Sequence, residues 1–199
     1  MVRGKKSIRM GMAAIAFSIL MFSLFVWPVK ASVMLALDLD QLVANSEIIV
    51  VATTLGWKSR WDARNRIVTD VTLRVEESIK GKYKAKDQLV VTRLGGEIGN
   101  LGMRVEGAEV FYKDKKAIVF LREVPALGEL RVVGMSQGVF HYREEEGQTL
   151  VGPEDTDLAL VERDSDGELT SVARVEKRVL PVEGVLTAIR KLVLVYHAK

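Results

Sequence analysis

Ile67, Thr69, Val71, Leu73 and Val75 alternate with Val68, Asp70, Thr72, Arg74 and Glu76. One face of this run is apolar and the other mostly polar, with a period of two. Successive side chains of an extended chain point to opposite sides, so the pattern describes a half-buried strand. A helix could not sort these residues, and the middle of the chain is thereby committed to β structure. Its neighbours fit. Ile48-Ile49-Val50-Val51-Ala52 reads as a buried strand reaching Trp57. Gln88–Arg93, Ala117–Arg122, Leu130–Gly134 and Gly138–Tyr142 are further strand-length segments between turn signals. Leu158–Val161 and Leu169–Val172 flank Asp164-Ser165-Asp166-Gly167 as a hairpin. Strands at this spacing predict a small antiparallel barrel or sandwich.

Two helices frame the strands. Leu35, Leu39, Leu42 and Val43 share one helical face, and Asp38 with Gln41 is placed to form a capping box. Asn45-Ser46 ends that helix. Val182, Val185, Leu186, Ile189, Leu192, Val193 and Tyr196 form a helical stripe that predicts a C-terminal amphipathic helix packed on the strands. Pro181 suits its start, and Arg190 with Lys191 its last turn. The acidic stretch from Glu144 to Asp157 reads as a surface excursion.

The first 31 residues are of another kind. Arg3, Lys5, Lys6 and Arg9 precede seventeen residues without a charge, Gly11–Trp27. Pro28 breaks the run, and Val29-Lys30-Ala31 offers the small-residue exit of a secretory signal peptide. The expectation is export, periplasmic or secreted, with cleavage after Ala31 and one β-rich domain over 32–199. The alternative is an uncleaved N-terminal anchor, in which case membrane contact runs through this segment alone. Net charge is +3, with 29 basic and 26 acidic residues. Five of the bases and none of the acids lie in 1–31, which leaves 24 bases against 26 acids in the domain. The basic balance therefore belongs to the export signal and is no argument for nucleic acid.

Chemical signatures are scarce. With no cysteine, disulfide frameworks, thiolate metal sites and cysteine nucleophiles are excluded. The two histidines, His141 and His197, lack any Glu-x-x-His or His-x-x-x-His companion. No Gly-x-Ser-x-Gly elbow is present. Gly95-Gly96-Glu97-Ile98-Gly99-Asn100-Leu101-Gly102 lacks the Gly-Lys-Ser/Thr of a phosphate loop and reads as a wide glycine turn. Asp164-Ser165-Asp166-Gly167-Glu168 offers hard oxygens, but the twelfth position from Asp164 is Val175 rather than a glutamate. It reads as a turn, and neither a metal nor a cofactor is expected. The polar, aromatic tip of the first hairpin, Trp57–Arg66, has two readings. Trp57 and Trp61 cap the end of the barrel, or they join Arg60 and Arg64 in an exposed recognition platform.

Asn45-Ser46-Glu47-Ile48-Ile49-Val50, Arg60-Trp61, Val75-Glu76-Glu77-Ser78-Ile79-Lys80-Gly81, Gly95-Gly96-Glu97, Val119-Phe120-Leu121 and Gly134-Met135-Ser136-Gln137-Gly138 follow one another in order. This outline resembles exported bacterial β-rich proteins of uncharacterised function over about half of the chain. More distantly, it resembles the netrin-like modules, which include the tissue inhibitors of metalloproteinases. That resemblance implies an OB-type barrel. Those inhibitors reach the protease zinc with an N-terminal cysteine, whereas here the expected mature start is Ser32. The resulting expectation is a mainly β (α+β) chain built as a small antiparallel OB-like barrel, with a short N-terminal and an amphipathic C-terminal helix. Its function reads as non-enzymatic binding of an envelope or extracellular protein or glycan. The candidate contact residues are Trp57, Arg60, Trp61, Arg64, Gly95, Gly96 and Glu97. The alternatives are an inhibitor or accessory factor of an exported protease, and a hydrolase with dispersed catalytic residues.

Overall fold

A computed structural model describes residues 33–154, 159–163, 166, 168–171 and 179–197. The expected signal peptide at 1–31 lies outside the described residues, as do Asp155, Asp157, Asp164, Ser165 and Gly167 of the acidic segments. The elements in chain order are β1 (Val33–Leu35), α1 (Leu39–Ala44), β2 (Ile48–Trp61), β3 (Ile67–Lys80), β4 (Gln88–Leu94), β5 (Gly96–Ile98) and β6 (Leu101–Met103). There follow β7 (Lys116–Val124), β8 (Glu129–Val132), a 3-10 turn (Met135–Gly138), β9 (Val139–Glu145) and β10 (Gln148–Pro153). The last are β11 (Ala159–Arg163), β12 (Leu169–Ser171), β13 (Leu180–Pro181) and α2 (Val182–His197). The protein is mainly β with two helices.

Five strands pair in the order β7-β2-β3-β4-β8, and β8 pairs back onto β7, so they close a ring. β9, β10 and β13 extend the sheet from β7. The ring is not wholly antiparallel: β4 meets β8 in parallel, through Val91 and Leu130. β1 also pairs in parallel, with β11. Register shifts in β2 at Ile49/Val50, Val51/Ala52 and Thr54/Gly56 supply the bending a small ring requires.

The continuous apolar run of β2 is explained by two cores. Ile48, Val50 and Ala52 join Val71, Leu73, Val75, Leu89, Val91, Val119 and Leu121 inside the ring. Ile49 and Val51 face the other way, with Ile118 and Phe120 of β7, and meet Leu42, Val43, Val185, Leu186, Ile189 and Val193 of the helices. A strand apolar on both faces loses the alternation that β3 keeps.

The capping box forms as the sequence predicts. The Asp38 side chain accepts from the Gln41 N–H at 2.7 Å, and the Gln41 side chain accepts from the Asp38 N–H at 3.0 Å. The cap also starts the helix after Asp38, so Leu35, expected on the helical face, belongs to β1 instead. At the other end, Ser46 Oγ donates to the Leu42 carbonyl and Lys80 Nζ to the Val43 carbonyl, which also accepts from the Ser46 N–H. The C-terminal helix buries the predicted stripe and is tied by Tyr196 to Asp40 and by Arg190 to Glu77.

Three segments differ from expectation. β2 and β3 run on, so the turn of the first hairpin is 62–66 and Trp57–Trp61 is strand. The glycine-rich loop is a hairpin, β5 against β6. The first part of the acidic stretch is also hairpin: β9 and β10 turn at Glu146 and Gly147, both at positive φ, the backbone of a tight two-residue connection.

Candidate functional site

β7 accompanies β2 only from Ile48 to Thr53, whereas β3 accompanies it to Trp61. Past Thr53, β2 therefore keeps β3 on one side, itself paired with β4 as far as Val68, and has lost β7 on the other. Trp57, Ser59 and Trp61 share one face of β2 by alternation, and Lys58 and Arg60 the other. Trp57 is 53% exposed and Trp61 47%. Of the two readings of the sequence, capping does not fit side chains this exposed, and the exposed placement does. They stand four positions apart along the strand, about 13 Å at the usual rise.

The hairpin β5–β6 lies against the same face. The Gly95 N–H donates to the Ile67 carbonyl at 2.9 Å, and Thr69 Oγ1 donates to the Gly95 carbonyl at 2.6 Å. Ser59 Oγ sits 3.0 Å from Thr69 Oγ1 and accepts from the Glu97 N–H at 3.3 Å. With the Thr69 proton on the Gly95 carbonyl, Ser59 donates to Thr69. One relay thus runs from the Glu97 amide through two hydroxyls to the Gly95 carbonyl. Gly96 must be glycine: its φ is 139°, and a Cβ would stand 2.2 Å from Thr69 Oγ1 and 2.5 Å from Ser59 Oγ.

The structure thus brings Trp57, Trp61, Gly95, Gly96 and Glu97 together and sets Arg60 apart. Arg60 Nη2 reaches both Asp70 Oδ1, at 3.2 Å, and Glu129 Oε1, at 3.0 Å. Thr92 Oγ1 donates to the same Asp70 oxygen, and Arg131 holds the other Glu129 oxygen at 2.6 Å. This network ties β2, β3, β4 and β8 together and occupies the Arg60 guanidinium, whose pKa the carboxylates raise. Arg64 is exposed in the turn, and its N–H donates to Asp62 Oδ1 at 2.9 Å. Asp62 also accepts from the Arg66 N–H and guanidinium, and these bonds, the Arg66 amide foremost, hold its carboxyl down at about 2.

An open groove of about 530 Å³ adjoins the hairpin, lined among others by Arg93, Glu97, Arg104, Glu106 and Val110. Near it lies Glu109, 6% exposed, which sequence reasoning missed. Burial pushes its carboxyl up, against the pull of its own backbone N–H, Arg93 and Arg131. The signal was its place between Ala108 and Val110, two residues before the core side chain Phe111. His141 is 5% exposed, packs edge-on to Tyr112 with ring centroids 5.1 Å apart, and bonds the Val110 carbonyl. Burial lowers its pKa. Among the described residues no three acidic or histidine side chains are grouped to hold a metal ion, and no helix is long and apolar enough to cross a membrane.

No protein-family model, curated protein or solved structure matches the chain.

Proposed function

We propose that the chain is an exported, non-enzymatic binding module on an OB-like barrel, and that it recognises an envelope or extracellular protein or glycan. The ring order β2-β3-β4-β8-β7, with its antiparallel β2–β7 and parallel β4–β8 closures, supports the barrel reading. Export rests on the basic, apolar and small-residue pattern of residues 1–31.

One observation carries the binding reading: two large aromatic side chains stand exposed on a strand that a hydroxyl relay locks to a neighbouring hairpin. Large, exposed and rigidly mounted aromatics are what recognition surfaces use, because they offer contact area at small cost in side-chain entropy. Packing of His141 under Tyr112 supports a non-enzymatic reading, since it takes the imidazole away from any cleft.

The test is retention of envelope components on the immobilised full-length chain. Trp57→Ala with Trp61→Ala should keep the melting temperature and cut retention by about tenfold. Unchanged retention in a folded double variant would refute the reading.

A further inference from the structure

The end of β2 that β7 leaves has a free edge. The Asp62 N–H donates to the Arg66 carbonyl, so Asp62 and Arg66 form a hydrogen-bonded pair at the turn. Bonded and non-bonded pairs alternate along an antiparallel ladder. Stepping inward, Arg60–Val68 and Lys58–Asp70 are bonded pairs, whereas Trp61–Ile67, Ser59–Thr69 and Trp57–Val71 are not. The bond from the Gly95 N–H to the Ile67 carbonyl fixes the same phase on β3. The N–H and C=O groups of Trp57, Ser59 and Trp61 therefore point away from β3. At Thr54 that side is occupied, by Lys115 and Asp114. Beyond Thr54, no strand among the described residues pairs with it. The hairpin β5–β6 does not fill the edge, because it reaches β2 through the Ser59 side chain.

We infer that this edge, Trp57–Trp61, accepts an extended acidic peptide segment of a partner protein as an added strand. The inference rests on the binding reading above and names the partner's chemistry. A row of unpaired backbone groups is a template for β-augmentation, with side-chain contacts on either face setting specificity. Here the two tryptophans flank the template on one face. Charge chooses the occupant. Lys58 and Arg64 are exposed and make no salt bridge among the described residues, and the one acid of the segment, Asp62, is bound to Arg66. A second copy docked antiparallel about Ser59 would place Lys58 opposite an Arg60 already held by Asp70 and Glu129, and would leave both Lys58 side chains without an acid to meet. An acidic strand meets the same side chains favourably.

The experiment follows amide hydrogen exchange in the isotope-labelled full-length chain by NMR, in mild detergent. The probe is a capped octapeptide of alternating threonine and glutamate. A threonine–lysine octapeptide and a chitin hexasaccharide are run beside it. The glutamate peptide should slow exchange at Trp57, Ser59 and Trp61 by about tenfold or more, leaving Lys58 and Arg60 at their already slow rates. Lys58→Glu with Arg64→Glu should weaken that peptide by about tenfold and favour the lysine peptide.

Absence of protection at saturating peptide would overturn the inference. So would equal binding of both peptides, or protection that grows with protein concentration alone and marks self-pairing. Perturbed tryptophan signals with the saccharide and no amide protection would overturn it too, while leaving the binding reading standing.

Discussion

Arg60 Nε donates to Asp70 Oδ2 at 2.6 Å, across the ribbon that carries the two exposed tryptophans. The same guanidinium reaches Glu129 on β8, so one side chain at the free end of β2 is tied to the strand that closes the ring. Arg60 holds up the site more than it contacts a ligand. Arg60→Ala should cost about 1–2 kcal/mol in urea unfolding, a moderate loss for a partly exposed guanidinium with two charged acceptors. Arg60→Lys should recover little of it, because a lysine cannot fork between the two carboxylates. A double-mutant cycle with Glu129→Gln would measure the coupling, and additive costs would show the contact to be idle.

Acid should weaken the turn. Asp62 is held at about 2, chiefly by the Arg66 amide. Asp70 is also lowered: its burial acts upward, and the bonds from Arg60 and Thr92 outweigh it. A carboxyl lowered by folding contributes stability above its unfolded pKa and loses it as pH falls through the folded one. Melting temperature should therefore drop as pH falls from about 4 towards 2. Asp62→Asn should flatten that drop, as read by thermal melts across the window.

Glu109 carries the opposite sign. Its folded pKa is raised by burial, so its contribution is complete below the unfolded value and is lost as pH rises through the folded one. Glu109→Gln should raise the melting temperature at pH 8 relative to the parent and leave it nearly unchanged at pH 4. An equal effect at both pH values would place the carboxyl outside this linkage.

Two glycines of the hairpin should respond differently. Gly99 has φ 59° and open space around its Cβ position, so Gly99→Ala should cost only about 1 kcal/mol of backbone strain. Gly96→Ala adds the clash with two hydroxyls and should cost about 3 kcal/mol or detach the hairpin. Ser59→Ala in that background removes one hydroxyl and should restore part of the loss. Thermal melts of the three variants decide.

What was legible in the sequence follows physical rules of different reach. The alternation of Ile67–Glu76, the Asp38–Gln41 cap and the stripe from Val182 to Tyr196 depend on neighbours a few residues away, and all three appear. Ring closure through Val91 and Leu130 joins residues far apart in the chain, and no local pattern encodes its parallel sense. Trp57 and Trp61 were legible as candidates, but their exposure was not. It depends on β7 leaving β2 at Thr53, a feature of another segment. Gly95–Gly102 reads as a wide turn because glycine serves turns and tight packing alike. Only the hydroxyls of Ser59 and Thr69 show which.

The alternating commitment of β2 has a consequence for how the molecule comes apart. Ile48, Val50 and Ala52 belong to one core and Ile49 and Val51 to the other, and β7 is shared in the same way. Neither core can open while the other keeps its strands straight, so the helical layer and the ring should denature as one cooperative unit. Calorimetry should show a single transition, and the slowest-exchanging amides should cluster in the first six residues of β2 and their partners in β7, reporting global opening.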